Sequence, residues 1–255
     1  MGSTGHVLAV IPARAGSKGI PGKNLRTVAG RSLVRRCVES ARATSSIHAV
    51  VVSTDGDDIA AEAESAGATV VRRPTPLAGD TASSESALLH ALDVVEGQVP
   101  EVLVFLQATS PFIDPVVLDA AIERVLDGRA DSVFAAVPSH AFLWRTVADG
   151  SAIAVNHDAA TRPRRQERVP EFRETGAFYV LRTAGFLEHR HRFFGRTEIA
   201  VVDPLGAIDI DAPSDLALAE AIAADTADGS GASRLGPSTT THATAPAPAA
   251  LNGAP

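Results

Sequence analysis

The sequence predicts an α/β fold, a Rossmann-like open sheet of mostly parallel strands with helices on both faces. Three observations support this prediction: near-continuous apolar runs of strand length, amphipathic runs of helical length that alternate with them, and loops rich in glycine and proline after the strands. The chain has 255 residues, of which 45% are hydrophobic, so it is long enough for one large α/β domain with a small insert.

The predicted elements follow from two hydrophobic periodicities. Apolar runs predict strands at 6–12, 48–53, 68–72, 101–107 and 132–137, with further strand signals at 177–181, 199–202 and 207–210. Helical spacing predicts helices at 32–44, 57–66, 83–96, 115–127 and 213–224. Asp57 and Asp114 stand where N-caps are expected, and Gly67 and Gly128 stand where helices should end.

The chain divides into one domain and a tail. Residues 1–225 carry the strand and helix signals, and a polar, arginine-rich stretch interrupts them. We predict that residues 138–195 form a small α+β insert or arm used in dimerisation. Residues 226–255 consist mostly of Ala, Thr, Ser, Pro and Gly, which cannot bury enough apolar surface to order the segment. We therefore expect this tail to be disordered and functionally silent.

Charge and composition exclude several classes of protein. The formal net charge is 23 − 30 = −7, which argues against general nucleic-acid binding, since that requires a basic face. The single cysteine, Cys37, excludes a disulfide framework and is expected in the core. The sequence has no run of 18 apolar residues and no signal-peptide pattern, so it predicts no membrane span and a cytoplasmic location.

The most informative stretch is VLAVIPARAGSKGIPGKN, residues 7–24, in which a buried strand breaks into a cationic loop. Three cations and three glycines lie in the loop: Arg14, Lys18 and Lys23 with Gly16, Gly19 and Gly22. Glycine-rich backbone and cations together favour binding of a nucleoside triphosphate. The spacing differs from the Walker A motif and from the dinucleotide fingerprint. The alternative interpretation is a solvated basic loop.

A second candidate site is the sequence Asp209-Ile210-Asp211. On an extended strand the two carboxylates would point the same way, and their repulsion would favour a bound divalent cation. Mg²⁺ suits such oxygen ligands and keeps positions free for phosphate oxygens. The alternative is a solvent-facing acidic strand end or a helix cap.

Two further polar segments stand at expected ligand positions. The run Asp80-Thr81-Ala82-Ser83-Ser84 precedes a predicted helix, where such residues act as N-caps and where helical N–H groups face a ligand. Gln107 follows a buried strand, at the carboxyl end where open α/β sheets bind ligands.

These motifs together resemble the acylneuraminate cytidylyltransferases, the enzymes that make CMP-activated sialic acids and related acidic sugars. The residues of the opening motif that match are Ala13, Arg14, Ser17, Lys18, Gly19, Pro21, Lys23, Asn24 and Leu25. Later motifs extend the resemblance over most of residues 6 to 224. The resemblance implies a nucleotide-diphospho-sugar transferase-like fold, CTP and a small acidic acceptor as substrates, Mg²⁺ (or Mn²⁺) and a homodimer.

The resemblance also implies roles for individual residues. The nucleotide would be bound by Ala13, Arg14, Ser17, Lys18, Lys23, Asn24, Arg73 and Ser83, and the metal by Asp209 and Asp211. The acceptor would be bound by Gln107, Arg165, Arg173, Tyr179, Phe193 and Phe194. Catalysis would depend on Arg14, Lys18, Lys23 and Asp211. For Phe193 and Phe194 plain core packing is the alternative, and for the arginines a solvated arm.

The sequence departs from the family pattern at two positions. Phe112-Ile113 stands where Leu-Arg commonly follows Ser-Pro, and Thr175 stands where Asn is common. The missing cation leaves open an acceptor other than sialic acid, such as another acid sugar or a phosphonate. Two other hypotheses are a transferase that consumes a nucleotide sugar and a nucleotide-binding protein without catalytic activity.

Overall fold

The computed structural model describes residues 5–17, 19–79, 81–95 and 97–227. The strands are β1 (Val7–Pro12), β2 (Thr27–Val28), β3 (Arg31–Ser32), β4 (Ala49–Thr54), β5 (Thr69–Arg72), β6 (Val102–Leu106), β7 (Ser132–Ser139), β8 (Trp144–Thr146), β9 (Ala152–Ala154), β10 (Glu171–Arg182) and β11 (Thr197–Val201). The helices are α1 (Leu33–Ala43), α2 (Asp57–Ser65), α3 (Thr75–Ala78), α4 (Ser84–Val94), α5 (Pro115–Leu126), α6 (Thr183–His189) and α7 (Pro213–Ala227).

The main sheet has seven strands in the order β11-β7-β10-β6-β1-β4-β5. β1 pairs in parallel with both β4 and β6, and β4 pairs in parallel with β5. Only β10 runs antiparallel to its two neighbours, β6 and β7. The predicted open, mostly parallel α/β sheet is confirmed.

Helices cover both faces of this sheet, as predicted. Alternate residues of β1 belong to two different core clusters, because successive side chains of a strand point to opposite faces. One cluster packs β1 against α1, α2 and α5. The other packs β1 and β6 against α4 and α6. Cys37 is buried in the first cluster, as expected.

A third, smaller core fixes the end of the chain over the loop after β1. It joins Ile20 from that loop, Val28 and Leu33 from the region of the β2–β3 hairpin, and Ile210 and Ala219 from the C-terminal segment. This packing carries residues near 210 back to the loop that follows β1, so it positions the two candidate sites next to each other.

Two local predictions are corrected by the structure. Gly56 occupies the N-cap position of α2, so Asp57 is the first helical residue, and its carboxylate pairs with Arg72 at 2.8 Å instead of capping the helix. Residues 207–210 do not form a strand. The Ile210 N–H donates to the Thr109 carbonyl in the loop after β6, so this segment is held by a loop contact and not by a ladder.

The remaining helix boundaries agree with the sequence. Asp114 caps α5 by accepting a hydrogen bond from the Val116 N–H at 2.8 Å, as predicted. Gly67 and Gly128 follow α2 and α5 with φ of 90° and 71°, the left-handed conformation that glycine adopts most readily. Helix α7 continues to Ala227, three residues beyond its predicted end at 224. Residues 228–255 of the predicted tail lie outside the described residues.

The predicted insert is shorter in the structure than in the sequence analysis. β10 begins at Glu171 and belongs to the main sheet, so the part that leaves the sheet comprises residues 140–170. We call this segment the arm. It contains the β8–β9 hairpin and a 3-10 turn at Arg165–Glu167. Across the described ranges, no helix combines the length and apolar character needed to cross a membrane.

Candidate active site

A cleft of about 240 Å³ opens at the carboxyl ends of β1 and β6. The chain builds β4 and β5 on one side of β1, and after β6 it builds β7, β10 and β11 on the other side, so β1 and β6 mark the switch point of the sheet. Ligands of open α/β sheets bind at such a point. The residues lining the cleft are Pro12, Lys23, Asn24, Ser84, Phe105, Gln107, Ala108, Thr109, Asp209 and Asp211.

The cationic loop and the acid pair meet in this cleft. Lys23 Nζ lies 2.9 Å from Asp211 Oδ1, although 188 positions separate the two residues along the chain. The Lys23 side chain is 16% exposed and that of Asp211 is 75% exposed, so the ammonium is largely enclosed while the carboxylate faces the opening. The proximity predicted for these two groups is present.

Gly19 brings the two backbones into contact. A Cβ atom built on Gly19 would lie 2.5 Å from the Asp211 carbonyl oxygen, closer than real Cβ atoms approach. Because the neighbouring atom belongs to the backbone, it could not move aside cheaply. A glycine is therefore required at this position for the loop to lie against the acid pair.

Asp209 lies deeper in the cleft than Asp211. Its Oδ1 atom is buried and has no hydrogen-bond partner. Burial raises the pKa of the Asp209 carboxyl, and the nearby Asp211 charge acts in the same direction, while a hydrogen bond from Thr109 and the charge of Lys23 act against them. A half-buried carboxylate with an unsatisfied oxygen beside a second carboxylate is a site that a cation would stabilise.

Asp215 positions this acid pair and was missed by the sequence analysis. Its Oδ2 atom accepts hydrogen bonds from the N–H groups of Asp211 at 2.9 Å and Ala212 at 2.7 Å. These two backbone bonds lower the pKa of Asp215. An acidic residue in the first turn of a predicted helix was the available signal, since such residues often bond back to the preceding N–H groups.

The base of the cationic loop is held by backbone and amide contacts. Asn24 is buried and donates from Nδ2 to the Arg14 carbonyl at 2.9 Å. The Ala13 N–H donates to the Ser53 carbonyl, and the Ala15 N–H donates to Asp55 Oδ1. Asn24 therefore fixes the loop and also lines the cleft. Ser17 is half-buried in the same loop, and Lys18 lies outside the described residues.

Arg73 stands beside this loop. Its guanidinium donates twice to Ser53, from Nε to the hydroxyl at 3.2 Å and from Nη2 to the carbonyl at 2.5 Å. Burial lowers the pKa of Arg73, and the charge of Arg14 lowers it further against the opposing charge of Asp55. Arg14 and Arg73 thus lie near each other, at the carboxyl ends of β1 and β5.

The serines at the start of α4 have separate positions. Ser83 is the N-cap of α4, and its hydroxyl accepts a hydrogen bond from the Ser86 N–H at 3.2 Å, so the predicted capping is confirmed. Ser84 is the residue that lines the cleft. The predicted contact of Ser83 with the nucleotide remains a prediction. Asp80 lies outside the described residues.

Gln107 lines the cleft at the end of β6, where the sequence predicted it. Its N–H donates to the Ala177 carbonyl of β10 at 3.1 Å. A Cβ atom on Gly176, which has a φ of 79°, would lie 3.0 Å from Gln107 Oε1. The small residue beside Gln107 therefore leaves room for its amide.

The predicted aromatic residues have two kinds of position. Tyr179 stacks on Phe105, which lines the cleft, and we call these two rings the aromatic wall, whereas Phe194 belongs to the core. Tyr179 is 2% exposed, and its ring stacks on Phe105 at 5.3 Å, which itself lines the cleft. Phe193 is 37% exposed and lies 6.0 Å from the Tyr179 ring. Phe194 is buried against Gly185, where an added Cβ would meet its ring, so this side chain packs in the core.

The two predicted acceptor arginines do not line the cleft. Arg165 is exposed in the 3-10 turn of the arm, and Arg173 is exposed on β10 opposite Val137. The predicted contact of these two arginines with an acceptor remains a prediction.

Two solved structures share the α/β fold of this chain. The solved structure titled CMP:2-keto-3-deoxy-manno-octonic acid synthetase complexed with CTP aligns with a TM-score of 0.64 at 18% identity, covering 88% of this chain and 99% of that one. The structure of 4-diphosphocytidyl-2C-methyl-D-erythritol synthase from Anaerococcus prevotii aligns with the same TM-score at 14% identity, covering 86% and 96%.

Sequence comparison gives the family. Residues 8–228 match the family described as cytidylyltransferase, and the chain belongs to that family. It is 36% identical over 224 residues to an N-acylneuraminate cytidylyltransferase of Oncorhynchus mykiss, covering 86% of this chain and 50% of the relative. A relative of the same name from Escherichia coli is 31% identical, covering 84% and 51%. The predicted resemblance is confirmed, and the chain spans about half the length of these relatives.

A third relative spans a length closer to that of this chain. A pseudaminic acid cytidylyltransferase of Campylobacter jejuni is 27% identical over 218 residues, covering 84% of this chain and 94% of the relative.

We expect Asp215→Ala to loosen the acid pair. The variant should show faster amide hydrogen exchange at Asp211 and Ala212 near pH 6, because their acceptor is gone. Since the pKa of Asp215 is lowered in the fold, its contribution is present above the usual aspartate pKa of about 3.9 and is lost as the pH falls through the lowered value. Asp203→Ala, whose carboxylate accepts a hydrogen bond from the Leu205 N–H, is the control. Equal exchange in Asp215→Ala and the wild type would contradict this role.

Proposed function

We propose that this chain transfers CMP from CTP to an acidic sugar of the 2-keto acid type and releases pyrophosphate. The observation that carries the proposal is the meeting of Lys23 with Asp209 and Asp211 in one cleft at the switch point of the sheet. Membership of the cytidylyltransferase family and the names of the relatives support CTP and an acid sugar as substrates.

The residues of the cleft suit a reaction that needs positioning and charge more than covalent chemistry. Lys23, with Arg14 and Lys18 of the same loop, would neutralise the triphosphate and the departing pyrophosphate. The acceptor oxygen would attack the α-phosphorus in line, and Gln107 and Tyr179 would orient the acceptor from the β6–β10 side of the cleft. Ser84, in the first turn of α4, lines the same opening.

Asp209 and Asp211 would hold a Mg²⁺ or Mn²⁺ ion. The buried, unpartnered oxygen of Asp209 and the exposed carboxylate of Asp211 fit a hard cation that prefers oxygen ligands. When bound, such an ion neutralises phosphate charge and polarises the α-phosphate. Two carboxylates leave coordination positions for phosphate oxygens, and no group of three or more acidic, His or Cys ligands is found among the described residues.

The proposal allows more than one class of acceptor acid. Ile113 is 6% exposed and packs in the core, so this position offers no cation to an acid. An acid sugar other than N-acetylneuraminate is therefore the second candidate, and the pseudaminic acid relative supports that class. A phosphonate would need the same cations and remains an alternative acceptor.

We also propose that the chain acts as a homodimer through the arm. Leu143, Trp144, Ile153 and Val155 of the arm are each about half exposed, which leaves an apolar surface of the kind that marks protein interfaces. The exposed Arg165 lies on the same segment and could then reach the partner's acceptor.

An acceptor screen tests the proposed reaction. The purified protein is incubated with CTP, UTP or GTP, Mg²⁺ and one acid at a time: N-acetylneuraminate, other 2-keto sugar acids and small phosphonates. We expect pyrophosphate release with CTP and a sugar acid, and loss of release when EDTA is added. Release with none of the acids despite tight CTP binding would instead indicate a non-catalytic nucleotide-binding protein.

Substitution of the charged pair should abolish most of this activity. We expect Asp211→Ala and Lys23→Ala each to slow pyrophosphate release about 10²–10³-fold, the effect of removing a well-placed charged group. Asp203→Ala, a nearby acidic residue that does not line the cleft, is the control. Circular dichroism should be unchanged in all three variants. Turnover near the wild-type rate in Asp211→Ala would refute its role.

The dimer is tested by a charge placed on the arm. We expect Trp144→Glu to convert a dimer into monomers in sedimentation experiments, because the carboxylate would have to be buried in an apolar interface. Val116→Glu, at an exposed position of α5, is the matched control and should leave the mass unchanged. A wild-type protein that sediments as a monomer would rule out the proposed assembly.

A further inference from the structure

A second charged pair, formed by Arg192 and Glu85, lies beside the aromatic wall of Tyr179 and Phe105. Arg192, between α6 and β11, donates from Nε to Glu85 Oε1 at 2.7 Å. The two side chains are only 17% and 14% exposed. Burial alone would raise the pKa of Glu85, but the hydrogen bond from Arg192, together with a backbone hydrogen bond and the charge of Arg192, lowers it.

The Arg192 guanidinium also covers two aromatic rings. Its central carbon lies 4.5 Å from the centre of the Tyr179 ring and 5.0 Å from that of Phe105. These rings stack on each other, and the Tyr179 hydroxyl donates to Glu174. Cations over aromatic faces are attracted to them, more strongly when water is excluded. Arg192 therefore contacts both Tyr179 and Phe105, and Phe105 lines the cleft.

Glu85 connects this contact to the start of α4. It stands in the first turn of the helix, directly after the cap Ser83 and the cleft residue Ser84. Through Glu85 and the two rings, Arg192 links the starting turn of α4 to β6 and β10. The cationic loop follows β1, and β6 lies between β1 and β10 in the sheet. The contacts of Arg192 therefore lie on the side of the cleft away from the loop that is proposed to bind the triphosphate.

We propose that Arg192 is a positioning residue for the acceptor and that Glu85 holds it in place. This inference rests on the proposed CMP transfer. Arg192 acts through Tyr179, Phe105 and Ser84: it fixes the distance between the aromatic wall and the α4 terminus, and so determines which acid fits between them. Neither residue is required to bind CTP.

The test compares substitutions by their effect on the two substrates. With N-acetylneuraminate, or the best acid of the screen, Arg192→Met should lower kcat/KM for the acceptor roughly 10- to 100-fold, as expected for a displaced positioning group. KM for CTP should change little. Arg192→Lys should recover part of the loss, since lysine can pair with Glu85 but lacks the planar guanidinium. Glu85→Gln should resemble Arg192→Met, and Arg190→Met is the control.

A spectroscopic measurement tests the contact without turnover. Tyr179 is the only tyrosine in the sequence, so incorporation of 3-fluorotyrosine gives a single fluorine resonance. Arg192→Met and Glu85→Gln should each shift that resonance, and Arg190→Met should not. An unshifted resonance in Arg192→Met, or an equal rise of KM for both substrates, would overturn the inference. A wild-type protein inactive with every acid would refute the proposed function and this role with it.

Discussion

The contact between Lys23 and Asp211 is the constraint on which the site depends. It joins the loop after β1 to a segment 188 positions later. Two features enforce it: Gly19 lets the loop backbone lie against Asp211, and the small core around Ile20 and Ile210 holds both segments together. The sheet provides the platform, but the C-terminal segment completes the cleft. The same contact sets a cation beside an acid pair, and the proposed CMP transfer rests on this arrangement.

The charge balance of the cleft favours a reaction on phosphates. Without a cation, Asp209 has a buried, unpartnered oxygen beside a second carboxylate, which raises its pKa and destabilises the site. Proteins often retain such unfavourable groups where they serve function. Asp215 restrains the backbone at Asp211 by accepting hydrogen bonds from the N–H groups of Asp211 and Ala212. Backbone contacts therefore fix this segment, while the Asp209 carboxylate and the Asp211 carboxylate, which pairs with Lys23, both line the cleft.

Local periodicity predicted most of the sheet, and motif chemistry predicted the centre of the site. The bounds of β1, β4, β5 and β6 agree with the sequence within one residue, because long apolar runs have few alternatives. The hairpin strands, of two or three residues each, and the seven-residue α6 were not predicted, because such short elements carry little periodicity. The strand predicted at 207–210 is wrong, because this segment is held by a contact with Thr109 that is distant in sequence. The Arg192–Glu85 pair was missed because each member looks like a surface charge until the fold brings together two residues 107 positions apart. Asp215 was missed for another reason: its partners are neighbouring backbone N–H groups, and an acidic residue in a first helical turn has several possible roles.

A double-substitution experiment tests the central contact most directly. The rate of pyrophosphate release is measured for Lys23→Met, for Asp211→Asn and for the variant that carries both. If the two residues act as one unit on the same phosphates, the double variant should be about as slow as the slower single variant, because the effects of such residues do not add. Losses that multiply, as expected for independent residues, would contradict the contact on which the site depends.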